Sequence, residues 1–373
     1  MPRIAIDLLW LRPNKVGGTE PYVRNLLDGF QKLDRDFEFV LLTSIDNADT
    51  FRHYTDDRRF SMLVANIRNE NISKRIIWQN LFQNRLLKKN GIRYCFTPAY
   101  CKPWLNGGIE YVITIHDLQA WHYPQYHPFH EVAYSRLCWY CDALNTKKII
   151  VTSEWVKKDL MKKMRIPENR IDVINISINM ETGSMADFSV VQEQLNLKAK
   201  YLYTVSQLIP HKNLETLLWV MEKIVKENQD LPHILVITGI SGNASGQIQK
   251  IIREKNLEQN VILTGYIDEA TKIALYKNCE IFLYPSIFEG FGMPPVEAMI
   301  LGKTVITTKC TSLPEVTQGM AEYVENPKNI DEWIRKIKEC IGKENSIGLF
   351  EARVYDRERI SNQYLDVFEE IFP

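Results

Sequence analysis

The densest run of chemically capable residues in this sequence is Tyr284-Pro285-Ser286-Ile287-Phe288-Glu289-Gly290-Phe291-Gly292-Met293-Pro294-Pro295-Val296-Glu297-Ala298-Met299. A strand ends at Tyr284, a glycine-rich loop comes next, and the prolines predict a helix starting at Pro294 or Pro295, where a missing N–H costs nothing. Glu289 and Glu297 both fall near the carboxyl end of that strand, where open α/β sheets bind ligands. Each carboxylate can accept a pair of hydroxyls, one set from a sugar and the other from a ribose. The N–H groups of Gly290, Phe291, Gly292 and Met293, with the helix N-terminus, suit a diphosphate lying between them. A first-turn acid such as Glu297 also complements a helix dipole, typically by about 0.3–1 kcal/mol. That plainer role explains neither Glu289 nor the clustered glycines.

Two further segments place polar groups at strand ends. Asn14-Lys15-Val16-Gly17-Gly18-Thr19-Glu20 comes after the first strand and opens a helix, so Gly17 and Gly18 either let the backbone approach an anion or form a plain βα turn. Thr114-Ile115-His116-Asp117-Leu118 ends another strand. His116 can hydrogen-bond a sugar hydroxyl or present its carbonyl, Asp117 can cap the turn after it, and a satisfied loop histidine is the plainer alternative. His122, His127 and His130 lack the spacing and Cys partners of a zinc site, and Cys138/Cys141 form a CxxC inside a helical pattern without redox context. Asp34-Arg35-Asp36 is a DxD by spelling, but it comes after a helix rather than an apolar strand. No GxGxxG or GxxxxGK[ST] fingerprint occurs, which removes the main support for a simple dehydrogenase or kinase.

These segments need a frame, and the hydrophobic pattern supplies one. Short β-branched runs alternate with amphipathic stretches, the signature of βαβ units and parallel sheets. Strands are predicted at 3–9, 37–43, 60–66, 92–96, 111–115, 147–151 and 170–174, with helices at 19–34, 72–90, 129–146 and 153–165. A second series has strands at 201–206, 233–238, 260–264, 280–284 and 303–307, and helices at 213–229, 245–257, 269–278, 294–301 and 328–342. The polar stretch 176–199 reads as a hinge. A last helix, 356–371, is expected to pack back across the junction. The domains expected are therefore 1–176, 177–355 and the terminal helix 356–373.

The 373 residues suit two α/β domains, and 46 Lys+Arg against 46 Asp+Glu gives no net field that would favour nucleic acid. The opening MPRIAIDLLWL reads as a first strand rather than a signal segment, and no apolar run reaches the ~20 residues of a membrane span. Seven cysteines, an odd number, point to reduced thiols and a cytoplasmic location. Residues 72–93 form a basic amphipathic segment, readable as a solvated Rossmann helix or as a peripheral contact with an anionic membrane face.

Taken in order, the motifs resemble those of the retaining GT-B glycosyltransferases of family four (glycosyl transferases group 1), and the likeness covers nearly the whole chain. The Glu289-to-Glu297 run is similar to that family's Glu-x7-Glu motif. Gly17-Gly18 is similar to its glycine pair, Ile115-His116-Asp117 to its His-Asp loop, and Val151-Thr152-Ser153-Glu154 to its Ser-Glu segment. Val205-Ser206-Gln207-Leu208-Ile209-Pro210-His211-Lys212-Asn213 resembles its Gly-Arg-Leu-x3-Lys-Gly/Asn phosphate loop, and Ser312-Leu313-Pro314-Glu315 its downstream loop. Ser206 and Gln207 depart from the family's glycine and arginine.

The resemblance implies an α/β GT-B fold, two Rossmann-like domains facing across a cleft. It also implies retaining transfer of a hexose-type sugar from a nucleoside-diphosphate donor to a hydroxyl of a glycan or lipid-linked acceptor, in cell-surface polysaccharide synthesis. Catalytic roles fall to His116, Lys212 and Glu289: Lys212 at the phosphates, Glu289 at the sugar hydroxyls, and His116 beside the reacting sugar. The donor would be held by Gly17, Gly18, Gln207, Gly290, Phe291, Gly292, Met293 and Glu297, with Glu297 on the ribose. No cofactor beyond the donor and no metal is expected. The rival readings are a sugar-nucleotide epimerase, a phosphorylase that would need pyridoxal phosphate, and a non-catalytic partner subunit of the same fold.

Overall fold

The structure, a computed structural model, describes residues 2–13, 15–99, 102–180, 183, 185–342 and 350–372. Asn14 beside the glycine pair, and Glu181, Thr182 and Ser184 of the expected hinge, lie outside them. The chain divides into two compact units, Met1–Ser177 with Arg353–Pro373, and Ile178–Ala352.

The first unit runs β1 (Arg3–Asp7), α1 (Thr19–Lys32), β2 (Glu38–Ser44), β3 (Phe60–Ala65), α2 (Ile72–Trp78), α3 (Asn84–Lys89), β4 (Tyr94–Thr97) and β5 (Glu110–Ile115). It continues with α4 (Gln119–His122), α5 (Phe129–Asn145), β6 (Lys148–Val151), α6 (Glu154–Met164) and β7 (Ile171–Val173). Its central strands are apolar along nearly their whole length, as a sheet covered on both faces requires; in β5 all but the first residue are buried. The strands pair in parallel in the order β3-β2-β1-β4-β5-β6-β7.

The second unit runs α7 (Phe188–Gln194), β8 (Tyr201–Val205), α8 (Leu214–Lys226), β9 (Ile234–Thr238), α9 (Ser245–Glu254), β10 (Val261–Gly265) and α10 (Glu269–Asn278). Then come β11 (Ile281–Tyr284), α11 (Met293–Ile300), β12 (Val305–Thr308), α12 (Leu313–Val316), β13 (Glu322–Val324) and α13 (Ile330–Cys340). Its parallel order is β10-β9-β8-β11-β12-β13. Strand order therefore reverses between β1 and β4 in one sheet and between β8 and β11 in the other. Such switch points open a crevice beyond the strands' carboxyl ends.

Three details differ from the sequence pattern. The 72–90 helix is interrupted by a π turn at Gln79–Gln83, which separates α2 from α3. The 176–199 stretch is not wholly irregular: α7 forms inside it, Val191 and Leu197 are buried, and Ala186 N–H donates to the Ala270 carbonyl at 3.2 Å. A two-turn helix is too short to show a period. The three-residue β13 escaped for the same reason.

The terminal helix α14 (Arg357–Ile371) belongs to the first unit and lies on α1. A Cβ on Gly29 would stand 1.9 Å from Ser361 Oγ, so glycine is what permits the close approach of the two helices. Phe368 fills the seam, 6.0 Å from the Phe30 ring and 5.2 Å from that of Phe96, and the Tyr22 and Tyr364 hydroxyls hydrogen-bond at 2.8 Å.

Candidate functional site

β8 and β11 are neighbours at the second switch point, and the loops leaving them bring Lys212 and Glu289 together. The loop after β8 ends in a single 3-10 turn, Pro210–Lys212, tied to the loop after β11 through the His211 carbonyl. That carbonyl accepts Ile287 N–H at 2.9 Å and Ser286 Oγ–H at 3.2 Å. Lys212 Nζ consequently lies 2.6 Å from Glu289 Oε1 and donates to the Tyr284 hydroxyl at 3.1 Å. That hydroxyl donates in turn to Glu289 Oε1 at 2.7 Å. Burial raises the Glu289 pKa, but the charges of Lys212 and His211 outweigh it, and the carboxyl is held below its ordinary range. The Tyr284 proton is held tightly, first by burial and then by the negative charges of Glu289 and Glu297, which places both carboxylates in one neighbourhood.

The glycine-rich loop is braced from β12's far end. Glu289 N–H donates to Thr311 Oγ1 at 2.9 Å, and Ser312 Oγ–H donates to the carbonyls of Glu289 and Phe291 at 3.0 and 2.9 Å. Gly292 turns the chain into α11 with φ +96°, and a Cβ there would meet Leu313 at 2.8 Å. The helix starts one residue earlier than expected, at Met293, which puts Pro294 and Pro295 in its second and third positions. Of the four amides that a helix start leaves free, here those of residues 292–295, the prolines remove two, so the terminus keeps Gly292 and Met293. Neither proline falls within the cradle expected at Gly290, Phe291, Gly292 and Met293, whose four residues all carry an N–H. Gln207 is half-buried at the start of the β8 loop, where its carbonyl accepts Ser206 Oγ–H and Ile209 N–H, each at 2.9 Å.

Glu297 has its own pair of partners, both from α10. Tyr276 Oη–H donates to Oε2 at 2.8 Å, and Lys272 Nζ lies 3.4 Å from Oε1 and 3.0 Å from Glu269 Oε2. Burial alone would lower the Lys272 pKa; Glu297 and Glu269 outweigh it and raise it. Each of the two glutamates is therefore held by one lysine and one tyrosine. Sequence reasoning does not find Tyr284, Tyr276 or Lys272 as site residues. The four-residue spacing of Lys272 and Tyr276 marks one helical face, but nothing local says that the face meets Glu297.

The remaining predicted residues lie in the first unit. Gly17, at φ +63°, and Gly18 form the exposed turn into α1, with Gly18 as its N-cap. His116 comes directly after β5; its Nε2 is 2.9 Å from the Pro98 carbonyl, which can only accept, so Nε2 carries the proton and Nδ1 is the acceptor. Burial lowers its pKa to about 4, so the ring is neutral near pH 7. The His116 carbonyl accepts Thr152 Oγ–H at 3.3 Å, and the ring packs edge-on to Tyr22 at 4.7 Å. Ser153 caps α6 by accepting Val156 N–H, and Asp117 accepts Gln119 N–H in the turn that leads into α4. His122 pairs with Asp159 at 2.7 Å. Among the described residues, no group of three or more His, Cys, Asp or Glu side chains converges as a metal site would require. Asp7, buried at the end of β1, also escapes sequence reasoning. Its carboxylate accepts Leu9 N–H at 3.1 Å and the amides of Gln79 and Gln83 at 3.1 and 2.9 Å, and burial pushes its pKa up to about 6.

Comparison with known proteins agrees with this architecture. The family described as Glycosyltransferase Family 4 matches residues 16–182, and Glycosyl transferases group 1 matches residues 186–354. O-antigen chain mannosyltransferase B of Escherichia coli is 25% identical over 268 residues, which cover 69% of this chain and 70% of that protein. Among solved structures, sucrose-phosphate synthase from Thermosynechococcus elongatus superposes with a TM-score of 0.78 at 19% identity, over 100% of this chain and 99% of that one. The Anabaena protein HepE, solved with UDP and glucose, gives 0.74 at 15% identity over 99% and 100%. With two consecutive family matches spanning both parallel-sheet units, the chain belongs to the group 1 glycosyltransferases and has their GT-B fold.

Proposed function

We propose that this chain transfers a hexose-type sugar, with retention of anomeric configuration, from a nucleoside-diphosphate donor to a hydroxyl of a glycan or lipid-linked acceptor in cell-surface polysaccharide synthesis. The observation that carries the reading is the meeting of Lys212, Tyr284 and Glu289 at the β8/β11 switch point, with Glu297 in the same neighbourhood. Relatives named as O-antigen mannosyltransferases support a polysaccharide acceptor, and a neighbour solved with UDP and glucose supports a nucleotide-linked sugar donor.

In this reading Glu297 takes the ribose hydroxyls and Glu289 those of the transferred sugar. Lys212, Gln207 and the Gly290–Met293 amides meet the diphosphate, and Gly17 and Gly18 keep the donor-binding role that the family resemblance gives them. The bond from the anomeric carbon to the diphosphate oxygen breaks, and a bond to the acceptor oxygen forms on the same face. The acceptor's proton passes to the departing phosphate. Charge grows on that phosphate, and a preorganised cation stabilises it without reorganisation at the moment of reaction. Neutral His116, with Nδ1 free of the proton, accepts a hydrogen bond from a hydroxyl of the transferred sugar. A lysine supplies the charge, so no metal is invoked.

The test is to incubate the purified chain with a panel of nucleoside-diphosphate hexoses and saccharide acceptors, and to measure nucleoside diphosphate release and product anomer. Acceptor-dependent release with the donor's anomeric configuration is expected. Release of a free epimerised sugar nucleotide without acceptor would instead make the chain an epimerase. No turnover despite tight diphosphate binding would leave a non-catalytic subunit.

A further inference from the structure

Residues 71–109 contain seven Lys and Arg and no Asp or Glu, in a chain whose total charge is zero. Their cations are Lys74, Arg75, Arg85, Lys88, Lys89, Arg93 and Lys102, and the stretch contains α2, the π turn and α3. The inward face of these helices is fixed: Gln79 and Gln83 reach Asp7, and Leu87 is buried in the core beneath. The outward face carries large apolar side chains open to solvent, Ile77 58% exposed, Leu81 63% and Phe82 45%. Arg85, Lys88 and Lys89 are exposed one to two turns further along.

This face does not end at the helix. Trp104 N–H donates to Asn80 Oδ1 at 2.9 Å and Asn84 Nδ2 donates to the Leu105 carbonyl at 2.6 Å, which sets Leu105, 78% exposed, beside α3. Asn106 Nδ2 donates to the Asn145 carbonyl at 2.6 Å, which brings in the end of α5 with Leu144, 76% exposed. A soluble surface seldom gathers apolar groups of this size on one side without an occupant. A second copy of the chain would press two acid-free faces together, and a nucleic acid would leave the leucines and phenylalanine unused. A sheet of anionic phospholipid takes both kinds of group: acyl chains and glycerol against the apolar tips, headgroup phosphates against the cations.

We propose that α2, the π turn, α3 and the 104–105 loop form a docking surface for an anionic phospholipid bilayer, on which the first unit lies without spanning it. Among the described residues no helix is long and apolar enough to cross a membrane. The surface stands on charge and exposure, and needs no assumption about donor or acceptor.

The test is co-sedimentation of the full chain with vesicles of phosphatidylcholine containing about one-quarter phosphatidylglycerol, against pure phosphatidylcholine. Leu81→Ser/Phe82→Ser and Lys88→Glu/Lys89→Glu alter exposed side chains, so unchanged circular dichroism and melting temperature are expected. The native chain should prefer anionic vesicles, and each double variant should bind them at least about tenfold more weakly. Raised salt should weaken the native chain's binding. Equal binding to neutral vesicles, or native-like binding by either variant, would overturn the proposal. So would concentration-dependent self-association that both variants abolish, because that would make the face a contact between copies.

Discussion

Replacing Glu289 with Gln tests whether its carboxylate holds Lys212 in reserve. Without donor, Nζ sits 2.6 Å from Oε1 in a site where both side chains are largely buried, 16% and 10% exposed. Two unit charges about 4 Å apart interact by about 4 kcal/mol at an effective dielectric of 20. Desolvation of the same ions offsets most of that. An incoming diphosphate has to share the lysine with Glu289, whereas beside glutamine it competes only with a neutral amide and Tyr284. Charge-assisted hydrogen bonds are worth about twice neutral ones, a difference of about 1–1.5 kcal/mol. The dissociation constant for free nucleoside diphosphate should therefore tighten about tenfold in Glu289→Gln. Turnover should fall by a similar factor, because the sugar hydroxyls lose their charged acceptor. Lys212→Met removes the shared cation, and adding Glu289→Gln to it should leave diphosphate affinity nearly unchanged. Isothermal titration calorimetry on the four proteins of this cycle gives the coupling directly. Weakened diphosphate binding in Glu289→Gln, or equal tightening in both backgrounds, would refute the shared-lysine argument.

Tyr276→Phe removes the hydrogen bond to Glu297 Oε2 and should weaken nucleoside diphosphate binding about five- to tenfold, with kcat little changed at saturating donor; a larger loss in kcat than in affinity would contradict it. Lys212→Ala should lower kcat by roughly 10²–10³, and full activity in that variant would remove Lys212 from the phosphate. Transfer should survive chelation of divalent cations, and activity that is abolished by chelator and restored by Mg²⁺ or Mn²⁺ would count against the lysine-based clamp. Asp7 has its pKa raised from 3.8 to about 6 in the folded chain, so its contribution to stability is present below about pH 4 and is lost as pH rises through 6. That rise corresponds to about 3 kcal/mol, and Asp7→Asn should lack the resulting slope when urea unfolding is compared at about pH 4.5 and about pH 7.5.

Most regular elements were legible because their signals are local. Strands such as Tyr201–Val205 are short apolar runs, and α1 and α13 keep a steady apolar face. The candidate site was legible as a set of residue types at strand ends, since strand order and crevice position derive from the βαβ pattern. What the sequence withheld is pairing at a distance. Lys212 and Glu289 are 77 residues apart, and their ion pair depends on β8 and β11 being adjacent. Tyr276 and Lys272 look like an ordinary helical face until α11 is placed against α10. The prolines that open α11 were readable in the sequence, but its exact start at Met293 was not.

The membership of α14 in the first unit has a consequence for synthesis. A chain leaving the ribosome delivers residues 1–177 first, but they lack the helix whose Phe368 and Tyr364 close the seam over α1 and β4. Ile178–Ala352 is continuous and can complete its own core while Arg353–Pro373 is still to be made. The usual order, in which the N-terminal domain folds first, is thus inverted here. During that interval Phe30 and Phe96 stand uncovered, and the nascent protein presents an aromatic surface for chaperones to shield. A stop codon near residue 352 would accordingly strike the amino-terminal unit, far from it in sequence, and leave the carboxyl-terminal unit able to fold.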